Sequence, residues 1–116
     1  MNHESVLIAV LSRHIGARRG ISVAELARAV YGPGAGPGDE RRVRKMVAEL
    51  RAQGEHICAD PRHGYFIAET DDELDQTCRF LHDRAMTSLT QIAAMKRVSL
   101  PDLAGQLRIR MEDSNQ

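Results

Sequence analysis

Val6, Leu7, Val10, Leu11 and Ile15 recur at steps of three and four residues, one apolar stripe on a 3.6-residue period. The pattern predicts a first helix from His3 to Ile15, with Asn2 as its N-cap and Gly16 as its stop. Ser22-Val23-Ala24-Glu25 has the spacing of a capping box and opens a short second helix that ends near Tyr31-Gly32. Leu26, Ala29 and Val30 are its expected inward residues. Gly32 to Gly38 contains only Gly, Pro and Ala, which predicts a seven-residue turn. A third helix is expected over Asp39–Gln53, with Val43, Met46, Val47 and Leu50 as its stripe and Gly54 just past its end.

After Gly54 the period shifts towards two. Ile57, Ala59, Tyr65 and Ile67 can share one face of two strands, joined through the turn residues of Asp60-Pro61-Arg62-His63-Gly64. Thr70-Asp71-Asp72-Glu73 is a second capping box and starts the longest predicted helix, to about Val98. Leu74, Cys78, Leu81, Ala85, Leu89 (or Ser88) and Ile92 step along it by threes and fours. Such a helix is about 40 Å long, more than a domain of this size covers. Its stripe therefore predicts a dimer or partner contact at Leu74, Cys78, Leu81, Ala85, Leu89 and Ile92. A short helix from Ser99 to Leu107 and a frayed tail over Met111–Gln116 complete the expected elements.

The fold class that follows is α+β, mainly α: three helices and a two-stranded hairpin, then a long C-terminal helix. The expected divisions are 1–69 for the helix-and-hairpin domain, 70–98 for the long helix and 99–116 for the short helix and tail. Three helices followed by a hairpin is the order of a winged helix, with Asp39–Gln53 as recognition helix and Ile57–Ile67 as wing. Around the third helix, taking Val43 as zero and about 100° per residue, Arg44 falls near 100°, Arg41 near 160° and Lys45 near 200°. Ala48 and Ala52 lie on the same outward sector, so that face combines basic side chains with small ones. Arginine matches the O6 and N7 acceptors of guanine in the major groove, and the start of a recognition helix is the part that reaches base edges and phosphates. Arg42 on the flank, and Arg62 and His63 at the wing tip, suit phosphate.

Charge tempers this picture. The 116 residues carry 16 basic and 16 acidic groups, whereas nucleic-acid-binding domains are usually basic. The acidity is local: Glu69, Asp71, Asp72, Glu73, Asp75 and Asp83 face Arg79 alone over 69–83. DNA affinity is accordingly expected to be modest and strongly salt-dependent. The acidic stretch and the uncovered face of the long helix also raise a second possibility. The chain would then be a protein-interaction adaptor, a replication accessory or an inhibitor of a host protein, acting through residues 70–109.

Other chemistries find less footing. Two cysteines make no disulfide framework, and the start of the chain lacks the basic stretch and cleavage site of a secretory signal. A reducing cytoplasm is the expected location. No apolar run approaches the length of a membrane span. Cys58 with His63, and Cys78 with His82, lack the close Cys-x2-4-Cys spacing of zinc fingers, so no metal is expected. Gly32–Gly38 is not followed by the Lys and hydroxyl of a phosphate-binding loop, and no nucleophile stands beside an orienting base. The chain is read as a non-enzyme without a cofactor.

Val23-Ala24-Glu25-Leu26-Ala27, Val43-Arg44-Lys45-Met46-Val47-Ala48-Glu49-Leu50-Arg51, Gly54 and Gly64-Tyr65-Phe66-Ile67 together resemble the winged helix-turn-helix domains of bacterial regulators, such as the biotin-repressor N-terminal domain. The likeness spans roughly residues 5–68. The whole chain also resembles small winged-helix proteins of phages and prophages. The resemblance implies a transcriptional regulator that binds double-stranded DNA, often as a homodimer. It places Arg41, Arg42, Arg44 and Lys45 on the DNA-facing helix and Arg62 on the wing. The departure is the long Gly-Pro turn, where these families use three or four residues.

Overall fold

Four α-helices and one antiparallel hairpin follow one another in the computed structural model, which describes residues 2–97 together with Pro101, Asp102 and Gly105. Helix α1 spans His3–Leu11, α2 Val23–Tyr31, α3 Pro37–Ala52 and α4 Asp71–Lys96; strands β1 and β2 are Ile57–Asp60 and Gly64–Ile67. The chain divides within α4 into two compact units, Met1–Thr77 and Cys78–Gln116. The first unit takes in the opening turns of α4.

Helix α1 starts as expected, with Asn2 Oδ1 accepting from the Ser5 N–H at 2.8 Å. It stops at Leu11, four residues short of the predicted end. The reason is tertiary. The His14 carbonyl accepts from Ile67 N–H and Gly16 N–H donates to the Ile67 carbonyl, each at 2.8 Å, so the segment pairs with the edge of β2. Ile15 consequently lies 44% exposed and leaves the core stripe. After a short 3₁₀ turn at Ala17–Arg19, Ile21 exchanges two backbone hydrogen bonds with Tyr65. The α1–α2 connection therefore covers the edge of β2 that β1 leaves open, which removes a free strand edge.

Ser22 Oγ accepts from Glu25 N–H at 3.1 Å and begins α2. Leu26 and Ala27 are its buried residues, while Ala29, expected inside, is exposed. The α2–α3 connection is shorter than predicted. Pro37 occupies the first helical position, where its missing N–H and fixed φ cost nothing, and the Asp39 carboxylate accepts from Gly36 N–H at 3.0 Å. Five residues, Gly32 to Gly36, make the turn. Gly54 closes α3 with φ +97°, and Glu55 N–H returns to the Leu50 carbonyl.

The core gathers Leu7, Leu11, Ile21, Leu26, Ala27, Val43, Val47, Leu50 and Ile57, with Tyr65 and Ile67 packed against it. In the hairpin Ile57 pairs with Ile67, Cys58 with Phe66 and Ala59 with Tyr65. Cys58 and Phe66 point to the other face, yet both are buried. The first turns of α4 account for this at Cys58, whose thiol donates to the Glu73 carbonyl at 3.6 Å; Thr77 is buried as well. Glu73 clamps this corner, its carboxylate accepting from Ala17 N–H at 2.9 Å and from Glu69 N–H at 2.8 Å.

In the second unit α4 runs on to Lys96, and Arg97 turns out of it with φ +56°. Of the short helix expected from Ser99 to Leu107, Pro101, Asp102 and Gly105 are described and helical. The rest of it, the predicted end at Val98 and the tail Met111–Gln116 lie outside the described residues. No helix among the described residues is long and apolar enough to cross a membrane.

Candidate nucleic-acid interface

The buried stripe of α3, Val43, Val47 and Leu50, turns the opposite side of the helix outward. Arg41, Arg42, Arg44 and Lys45 are all exposed on it, with exposed Gly38, Ala48 and Ala52 between and beyond them. The four cations differ in one respect. Arg42 Nη1 donates to Asp39 Oδ1 at 2.8 Å, and its guanidinium sits 6.0 Å from the centre of the Tyr31 ring. Tyr31 in turn meets the His3 ring edge-on at 4.5 Å. Arg42 therefore ties α3 to the end of α2, and its charge is partly spent on Asp39. Arg41, Arg44 and Lys45 form no ion pair among the described residues.

The base of the hairpin is fastened to the end of α3 by Arg51, whose Nε donates to the Ile57 carbonyl at 2.8 Å. At the tip, Asp60 Oδ1 accepts from the N–H groups of Arg62 at 2.8 Å and His63 at 2.7 Å, a turn held by an aspartate side chain. The His63 ring Nδ1 lies 3.0 Å from Asp60 Oδ2. Arg62 is exposed and His63 half-buried. Arg62 and His63 thus lie at the hairpin tip, with His63 engaged by Asp60.

Burial alone raises the pKa of Asp60, but hydrogen bonds from the His63 backbone and ring and from the Arg62 backbone outweigh it and hold the carboxyl below its ordinary value. Hydrogen bonds from Ala17 and Glu69 N–H hold Glu73 low in the same way. Carboxylates lowered on folding add stability that is complete above their ordinary pKa and is lost as pH falls through the lowered folded values. Melting temperature is therefore expected to fall between about pH 5 and pH 3, and Glu73→Gln to flatten part of that fall. An identical acid limb in the variant, followed by circular dichroism, contradicts the role given to Glu73.

The positions assigned to a dimer or partner contact divide. Leu74 is half-buried in the first unit; along α4 in the second, Cys78, Leu81, Ala85 and Ile92 are exposed and Leu89 is half-buried. Cys58 is buried and Cys78 exposed. No three His, Cys, Asp or Glu side chains converge to hold a metal among the described residues. A shallow depression of about 550 Å³ lies beside Ile15, Arg18, Arg19 and Glu69, but its inner carboxylate, Glu73, is already occupied by backbone N–H groups.

Sequence reasoning left out Arg28 on α2 and Arg13, Arg18 and Arg19 in the α1–α2 connection, all exposed. Their signal was available as the basic cluster around Arg18-Arg19. What was missing was the pairing that ties this connection to β2. In comparisons with known proteins, no family model, curated protein or solved structure matches the chain.

Proposed function

We propose that the first unit is a winged helix-turn-helix module that binds double-stranded DNA, with α3 in the major groove and the hairpin as its wing. The supporting order is α1, the Ile21 bridge, α2, α3 and the β1–β2 hairpin, with Ile21 and β1 on opposite edges of β2. One observation carries the functional reading: Arg41, Arg44 and Lys45, which form no ion pair among the described residues, project from a helix face that they share with the small residues Gly38, Ala48 and Ala52 and with Glu49. Small residues let the helix axis approach the groove floor, and unpaired cations supply base-edge and phosphate contacts. Arg42 and Arg62 serve as backbone contacts, and His63 adds a third at the wing tip. A transcriptional regulator of the small phage or prophage type, working as a homodimer through α4, is the role this design fits.

Selection of bound duplexes from a random pool, performed with the full chain at low salt, tests the reading by whether one compact sequence pattern is enriched. The exposed Leu81, Ile92 and Met95 of α4 favour a second reading, in which α4 docks a protein partner and DNA has no part. Recovery of duplex no greater than that of a protein-free control selects that alternative.

A further inference from the structure

The outward stripe of α4 also specifies how two copies meet, an inference that rests on reading α4 as the self-association surface. Cys78, Leu81, Ala85, Ser88, Ile92 and Met95 follow alternating steps of three and four residues, and every one is exposed. Leu81 and Ile92 are each 38% exposed and Met95 83%. This is a heptad seam, with its two smallest members, Ala85 and Ser88, at the middle. Met86, Leu89 and Ala93, half-buried, occupy the neighbouring sector of the helix.

Charge is distributed unevenly along the same helix. Exposed Asp71, Asp72 and Asp75 lie in its first turns, and exposed Lys96 and Arg97 at its end. Two parallel copies set acid beside acid and base beside base. Two antiparallel copies set each acidic start beside a basic end, the arrangement that complementary charge favours. The apolar and charged requirements then coincide in a single register. Turning the second copy end for end about the midpoint between Met86 and Thr87 sets Cys78 against Met95, Leu81 against Ile92 and Ala85 against Ser88. The same operation brings Asp75 to within two residues of the level of Lys96, about 3 Å along the axis, on the flank of the seam. In parallel alignment Asp75 and Lys96 gain no such partner.

We infer that the chain pairs with a second copy of itself through an antiparallel α4 seam in this register. A disulfide trap tests it, because a disulfide needs Cα atoms within about 7 Å. The full chain carrying Met95→Cys retains Cys78 and is compared with the unaltered chain under mild oxidation; Cys58 is buried and does not compete. Antiparallel pairing yields a covalent dimer from the variant and none from the unaltered chain, whose two Cys78 residues then stand about 25 Å apart. Adding Cys78→Ser to Met95→Cys abolishes the cross-link. Sedimentation of both proteins before oxidation separates the two levels of the argument. A monomer at every concentration overturns self-association, and the pairing with it. A dimer in which the unaltered chain cross-links through Cys78, or in which Met95→Cys does not cross-link, overturns the orientation and register alone.

Discussion

Replacing Arg41 and Lys45 together by Ala is expected to weaken duplex binding by about 100-fold or more, since each good base contact contributes about 1–3 kcal/mol. Both side chains are exposed and form no ion pair among the described residues. Thermal stability should therefore move by no more than about 0.5 kcal/mol, the usual range for surface substitutions. That separation of binding from stability is what distinguishes a contact surface from a merely solvated helix face. Arg42→Ala supplies the internal contrast. Its guanidinium is held by Asp39 and lies over Tyr31, so its loss should cost some stability and only a few-fold in binding. Retardation of the selected duplex, with melting of each variant, reads both quantities. Equal binding by Arg41→Ala/Lys45→Ala and the unaltered chain removes α3 as the DNA-facing element.

Gly64→Ala is expected to destabilise the first unit strongly, for two independent reasons. Gly64 has φ +82°, a region where a Cβ costs about 1–2 kcal/mol. The added Cβ would also collide with the Ile21 carbonyl oxygen, backbone that cannot swing aside. That oxygen accepts the Tyr65 N–H at 2.7 Å, so relieving the clash breaks the bridge between the α1–α2 connection and β2. A combined loss of about 2–4 kcal/mol follows, a large part of the stability of a unit this size. On the scale for small domains it lowers the melting temperature by about 10–25 °C. Gly32→Ala isolates the backbone term, because Gly32 has φ +106° but nothing within 4 Å of an added Cβ. With ψ 171° as well, Gly32 sits in a backbone region essentially reserved for glycine, so the substitution should cost about 1–3 kcal/mol. Equal melting temperatures for the two variants would remove the Ile21 contact from the account.

The contrast between those glycines also marks where sequence reasoning ends. Local signals were readable: the Asn2, Ser22 and Thr70 side chains cap the helices they precede, and Gly54 closes α3. The stripe of α3 was legible from its period, and with it the outward placement of Arg41, Arg44 and Lys45. What escaped depends on partners distant in the chain. Ile15 fits the α1 period, but pairing of His14 and Gly16 with Ile67 draws the segment out of the helix. No periodicity within residues 3–15 encodes a strand some fifty residues later. The turn before α3 is five residues and not seven for a local reason: Pro37 disrupts a helix interior but is favoured at a first helical position, which it occupies here. Cys58 and Phe66 are apolar at positions expected to face water, the pattern of a strand covered on both sides.

Charge shows the same division. The acidic run at the start of α4 reads as dipole compensation, and Asp71, Asp72 and Glu73 do occupy its first turn. That Glu73 also reaches back to the N–H groups of Ala17 and Glu69 needed the fold. The neutral total, which argued against DNA, weakens once individual side chains are placed. Asp39, Asp60 and Glu73 each spend their charge on specific partners, whereas the cations of the outward α3 face, Arg42 excepted, remain available.

The most direct measurement of the central claim is the affinity of the full chain for the duplex enriched from the random pool, determined by fluorescence anisotropy across a salt series. Saturable binding at low salt is expected. Logarithmic affinity should fall linearly with logarithmic salt, at a slope of about −0.9 per phosphate neutralised. Unrelated duplexes of equal length should bind more weakly throughout. No binding at low salt, or equal binding of selected and unrelated duplexes, would contradict a sequence-reading role for α3.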